Sequence, residues 1–159
     1  MSKIVRCDSS GRTALHFAAT KNNVDMMVIL IEFDSSVINK CDKMVINALN
    51  IVEGNTALHY SCAVGSAEHV KVLLVHSADV TVQNLAGNTA LHVACMNNNY
   101  DVVELLIASK CDVNVLNNEK YVFPHLYFQS ALHYVMKMSP SVYKALVDSS
   151  ASILPTVVC

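Results

Sequence analysis

Apolar positions along the chain come in short helical stretches that follow one another in pairs. Thr13 is placed to cap a first helix, and Ala14-Leu15-His16-Phe17-Ala18-Ala19 are good to tolerable helix formers. Asn22-Asn23 break that pattern, and Met27, Leu30 and Ile31 then fall at helical spacing within a second helix over about Val24 to Phe33. The next pair is expected from Thr56 to about Ala63 and from Ala67 to His76, with Gly65 as the stop between them. A third pair runs from Thr89 to Met96 and from Asp101 to Ser109, divided by Asn97-Asn98-Asn99. A degenerate fourth starts at Ser130 and resumes after Pro140, which suits the first turn of a helix over about Ser141 to Asp148. Small alanines on the first helix of each pair predict close helix-to-helix contact.

The pairs are in register with a repeated hexapeptide. Gly54-Asn55-Thr56-Ala57-Leu58-His59 returns 33 residues later as Gly87-Asn88-Thr89-Ala90-Leu91-His92. Gly11-Arg12-Thr13-Ala14-Leu15-His16 is an upstream copy, and Ser130-Ala131-Leu132-His133 a worn downstream one. A fixed period in this range marks a stacked repeat. The step from His16 to His59 is 43 residues and that from His92 to His133 is 41, so two units carry surplus residues, within about 43–53 and 118–127. In a solenoid such insertions map to loops on one face, often the binding face. Residues 118–129, around the second, hold four of the chain's ten aromatics, and rigid rings are over-represented at binding hot spots. The same rings could instead fold back over the edge of the third and fourth units.

Composition narrows the function classes. The 159 residues are 53% hydrophobic and 15% charged, enough apolar material for one folded domain. A net charge of −2 without a lysine or arginine run argues against a phosphate-tracking, nucleic-acid-binding surface. No apolar run approaches the length of a membrane span, and the opening residues do not read as a secretory signal. The six cysteines lack CxxC pairs, which predicts reduced, mostly buried thiols in an intracellular protein, cytoplasmic or nuclear.

Candidate chemistry is sparse. His59-x-x-Cys62 and His92-x-x-Cys95 set an imidazole and a thiol one turn apart, a spacing that a zinc site can use. Recurrence of both within the repeat favours a structural role, so no metal is expected. No serine, cysteine or carboxylate stands in a nucleophile motif, and the four glycines form no phosphate loop. Neither a catalytic site nor a cofactor is expected.

The succession Gly-x-Thr-Ala-Leu-His, helix, turn, helix, and Ser77-Ala78-Asp79-Val80 or Cys111-Asp112-Val113-Asn114 resembles the ankyrin repeat over nearly the whole chain. Departures are alanine for the usual proline at Ala14, Ala57, Ala90 and Ala131, and asparagine for the turn glycine in two units. The resemblance implies an all-α solenoid of helix–turn–helix units joined by β-hairpin-like loops. Its repeats would span about 8–42, 51–83, 84–116 and 128–159. It also implies that the histidine ties the capping threonine to neighbouring hairpin backbone, with Cys62 and Cys95 at a small-residue position. The implied function is a non-catalytic adaptor or scaffold for another protein. The alternatives are a regulatory or targeting segment of a phosphatase, kinase or ubiquitin-ligase assembly, or a small self-contained inhibitor.

Carried over position by position, the family's concave binding surface includes Arg12, Lys21, Asn55, Val64, Leu85, Asn88, Met96, Asn97, Leu116 and Met138, with Tyr121, Phe123 and Tyr127 from the second insertion. Val64, Leu85, Met96, Leu116 and Met138 make this an apolar stripe, suited to a peptide or helix with apolar anchors. Asn114 resembles the hairpin asparagine hydroxylated in some ankyrin proteins, alongside its plainer reading as a turn residue. Both ends of the stack lack a polar cap, which predicts either further repeats or self-association through the ends.

Overall fold

Each threonine of the repeated hexapeptide stands in extended backbone immediately before a helix, as the sequence predicts. The computed structural model describes residues 6–21, 23–42, 54–113 and 115–118. Within them lie α1 (Ala14–Thr20), α2 (Val24–Phe33), α3 (Ala57–Val64), α4 (Ala67–Val75), α5 (Ala90–Met96) and α6 (Tyr100–Ala108). A 3-10 turn, Ser35–Val37, follows α2, and its N-cap Asp34 accepts from the Ser36 amide. No strand forms among the described residues, which show only isolated bridging such as Cys7 with Thr13.

The helices build two layers. In one, α1 packs on α3 and α3 on α5; in the other, α2 packs on α4 and α4 on α6. Between the layers lies a continuous core containing Leu15, Met27, Ile31, Leu58, Leu73, Leu91 and Leu106. Cys62 and Cys95 fill small-residue positions against the neighbouring helix and are fully buried. The alanines foreseen as contact points do that work. Ala57 and Ala90 have almost no accessible surface, so the inner helices approach closely.

Turn chemistry also follows the reading. Gly65 ends α3 with φ +80°, and Asn98 takes φ +58° at the corresponding turn of the third unit. Glycine and asparagine tolerate this left-handed region better than other residues. Asn99 then lies over Gly65, its side-chain amide donating to the Cys62 and Ala63 carbonyls at 2.7 and 3.2 Å. The orphan carbonyls at the end of one helix are thus satisfied by the next unit. No helix among the described residues is long and apolar enough to cross a membrane.

Two predicted features fall elsewhere. The fourth helix pair and the whole of the C-terminal end lie outside the described residues, as do residues 43–53 and 119–127 of the two insertions. Asn118 belongs to the hairpin: its amide donates to the Ala86 carbonyl at 2.8 Å.

Candidate functional site

The surface that faces away from the core is fixed by a polar frame beneath it. In each of three units the histidine occupies the third position of the first helix and reaches back to its capping threonine. The Thr13, Thr56 and Thr89 amides donate to the Nδ1 atoms of His16, His59 and His92 at 3.0, 3.2 and 3.2 Å. The threonine hydroxyls lie 2.8–2.9 Å from the same nitrogens. Imidazole thereby fills the place that glutamate or glutamine takes in the usual capping box. The hydroxyl's own bond to the helix amide, which the sequence assigned as the cap, is the weaker half. It is 3.5 Å long at Thr56.

Because a backbone amide can only donate, Nδ1 is unprotonated and the proton resides on Nε2. That proton is used between units. His16 Nε2 donates to the Asn55 carbonyl and His59 Nε2 to the Asn88 carbonyl, both at 3.0 Å. Asparagines add a second row of ties. Asn84 donates to Asn55 Oδ1 at 2.9 Å, and Asn117 to Asn88 Oδ1 at 2.7 Å. Asn84 also accepts from the Ala86 and Asn88 amides, closing its own hairpin. Asp42 does the same for its unit through the Asn55 amide, and it accepts the Tyr60 hydroxyl at 2.7 Å.

Above this frame the predicted surface residues divide. Val64, Leu85, Met96 and Leu116 are 49%, 52%, 44% and 50% exposed, on the ends of α3 and α5 and on the hairpins. Lys21 and Asn97 are also exposed. Asn97 donates back to the Val93 carbonyl. Asn88 departs from the expectation. It is 5% exposed and works inside the frame, and half-buried Asn55 is held the same way by Asn84. Arg12 is half-exposed and engaged: it pairs with Asp8 at 2.8 Å and covers the Phe17 ring at 4.7 Å. Tyr121, Phe123, Tyr127, Met138 and Asn114 lie outside the described residues.

The His-x-x-Cys pairs are committed to structure. Both nitrogens of His59 are taken by Thr56 and Asn88, and burial pushes the thiols of Cys62 and Cys95 up, that of Cys95 to about 12. Of the five described cysteines, all free, Cys62 and Cys95 are buried, Cys111 is half-buried, and Cys7 and Cys41 are exposed. A feature the sequence did not announce is His69. It is fully buried on α4, and neither ring nitrogen makes a hydrogen bond of acceptable geometry, although the Ala19 carbonyl of the preceding unit is close enough to favour its protonated form.

Burial lowers the pKa of His16, His59 and His69 below the ordinary 6.5, the carbonyl partners offsetting only part of the desolvation. In that window the unfolded chain binds more protons than the folded one. Stability is therefore full above about pH 6.5 and falls as pH drops below it, by up to about 1.4 kcal/mol per pH unit for each histidine. Urea unfolding is expected to show a lower midpoint at pH 5.5 than at pH 7.5. Equal midpoints would mean that these rings protonate within the fold.

Ankyrin family models match three overlapping stretches, residues 2–84, 35–117 and 84–156. No curated protein matches the chain. The matched stretches together span almost the whole sequence and take in all six described helices. The chain belongs to the ankyrin repeat family.

Proposed function

We propose that this chain binds another protein, the usual role of ankyrin repeats, and that it is a non-catalytic adaptor or scaffold that holds an apolar-anchored peptide or helix along its hairpins and first-layer helix ends. The observation that supports the reading is the exposure of Val64, Leu85, Met96 and Leu116, each about half open to solvent above a frame tied by the Thr–His and Asn–Asn hydrogen bonds. Adaptable apolar side chains on a rigid support favour binding, because little order has to be created when the partner arrives. Lys21 and Asn97 belong to the rim of this surface. Tyr121, Phe123, Tyr127 and Met138 extend it on the strength of their sequence positions. Asn114 is the candidate for asparaginyl hydroxylation, read out as a 16-dalton addition to the natively expressed chain. The five cysteines among the described residues, all free, fit a reducing intracellular compartment.

The test pairs Leu85→Glu with Met96→Glu. Both positions are exposed, so the double variant is expected to keep the parent's helical content and unfolding midpoint. Cross-linking mass spectrometry in the source cell should then lose the partners that the unaltered chain captures. An unchanged set of partners would discard this surface. Partners that dissociate steeply with added salt would instead indicate a charged contact.

A further inference from the structure

Ten residues after the histidine of each hexapeptide comes a position that the three units fill differently: Met26 in the first, His69 in the second and Val102 in the third. His69 is as fully buried as Val102, so an imidazole occupies a place that an aliphatic side chain fills one unit on. The position two residues after the same histidine departs in parallel. It is Ala18, Ser61 and Ala94 in turn, and all three are buried. Ser61 and His69 lie four residues to either side of Gly65, on the two helices of the second pair. Four buried side-chain polar atoms lack a hydrogen bond among the described residues, and three of them are Ser61 Oγ, His69 Nδ1 and His69 Nε2. Buried polar groups are nearly always paired, so such a concentration in one unit marks a place where the packed state is held at a cost. His16 and His59 differ in this respect, because both of their ring nitrogens are bonded.

The ring lies at a boundary between units. α4 packs against α2 of the first unit, α3 of its own and α6 of the third. Since His69 approaches the Ala19 carbonyl at the end of α1, it is on the side of α4 turned towards the first unit. Little in its surroundings can hold a proton there. Desolvation disfavours the cation, and only the Ala19 carbonyl and exposed Glu68 act the other way. The remaining carboxylates on the packed helices, Asp25 and Glu32 on α2 and Asp101 and Glu104 on α6, are all exposed. The other titratable groups are His16 on α1, His59, Tyr60 and Cys62 on α3, Lys71 on α4 and Tyr100 on α6, none of which is a carboxylate that could pair with an imidazolium.

We infer that His69 makes the joint between the first and second helix pairs releasable by acid: a proton taken up by the buried ring draws α4 away from the end of α1 and from α2 until the cation meets water. The joint between the second and third pairs has Val102 at this place and lacks the device. The frame histidines lose stability with acid at both joints, whereas His69 adds its share at the first alone.

The test follows amide hydrogen exchange in the full chain at pH 7.5 and pH 5.0, corrected for the intrinsic pH dependence of exchange. One histidine that regains an ordinary pKa of about 6.5 on release can lower protection by up to about thirtyfold over this interval. Protection of α1 and α2 is expected to fall at least tenfold more in the parent than in His69→Val, which carries the third unit's residue, while α6 loses the same in both chains. Equal losses at α2 in the two chains would overturn the inference and leave the His16 tie as the acid-sensitive group. So would a difference between the chains that extends undiminished to α6, since the whole stack and not the joint would then respond. A second readout needs only the parent. In an NMR titration the ring signals of His69 are expected to change in step with the loss of α2 protection. A ring that titrates while α2 protection stays constant would show the proton accommodated within a closed joint, against the proposal.

Discussion

His59→Ala is expected to lower the unfolding free energy by about 4 kcal/mol, an estimate summed from a core cavity and buried polar groups left unpaired. The ring is 1% exposed and serves three groups at once: the Thr56 amide, the Thr56 hydroxyl and the Asn88 carbonyl. Alanine strands an amide and a carbonyl that water cannot reach, each at roughly 1–3 kcal/mol. Total stability of a domain this size is commonly about 5–15 kcal/mol, so the variant should unfold near room temperature or separate into independently melting parts. Equilibrium urea unfolding at pH 7.5 measures it. His59→Gln offers an acceptor to Thr56 but is too short to span to Asn88, and its loss should fall between parent and alanine. A His59→Ala loss below about 1 kcal/mol would show that the tie contributes no more than an ordinary hydrogen bond.

Gly87→Ala is the second large effect. Gly87 has φ +74°, a conformation that costs an L-residue roughly 1 kcal/mol. A Cβ there would lie 2.6 Å from the Asn118 backbone nitrogen, the atom that donates to the Ala86 carbonyl. Backbone cannot swing aside, so the hairpins must part and that bond is lost. The expected destabilisation is about 2–4 kcal/mol, from backbone strain plus overpacking. Gly65→Ala is the informative comparison. Its φ is similar, but the Cβ meets the end of the Asn99 side chain, which can rotate away. That variant should cost about 1–2 kcal/mol, from the strain and from the bonds Asn99 gives up. Thermal unfolding of both variants decides the matter, and a Gly65→Ala loss equal to or larger than that of Gly87→Ala would contradict the account.

The parts of this fold that local chemistry dictates are legible in the sequence. Threonine before an alanine-rich run and asparagine or glycine at a left-handed turn set the ends of α1 to α6 within about a residue of their observed places. Ties that span units were legible only where a residue type recurs with the period. The histidines show this, and Asn84 with Asn117 could have been read the same way, since they too stand 33 residues apart. Asn55 and Asn88 read as outer-surface residues because an asparagine in a hairpin is as plausible a recognition group as a strut. Only the 2.7–2.9 Å contacts across the hairpins distinguish the two roles. His69 is harder still. Its burial depends on the unit packed against it, and a residue's identity carries no record of that.

The imidazole ties have a consequence for how such a chain can diverge. His16 and His59 hold main-chain oxygens, those of residues 55 and 88. A carbonyl is the one group at a position that no substitution removes. Drift at the gripped residue can cost the asparagine bridge but leaves the grip, whereas drift at the histidine loses everything attached to it. Variation over generations should therefore accumulate at the acceptor side and at the tips beside it, while the donor side stays fixed. A lineage could exchange its partner many times over without rebuilding the rod that presents it.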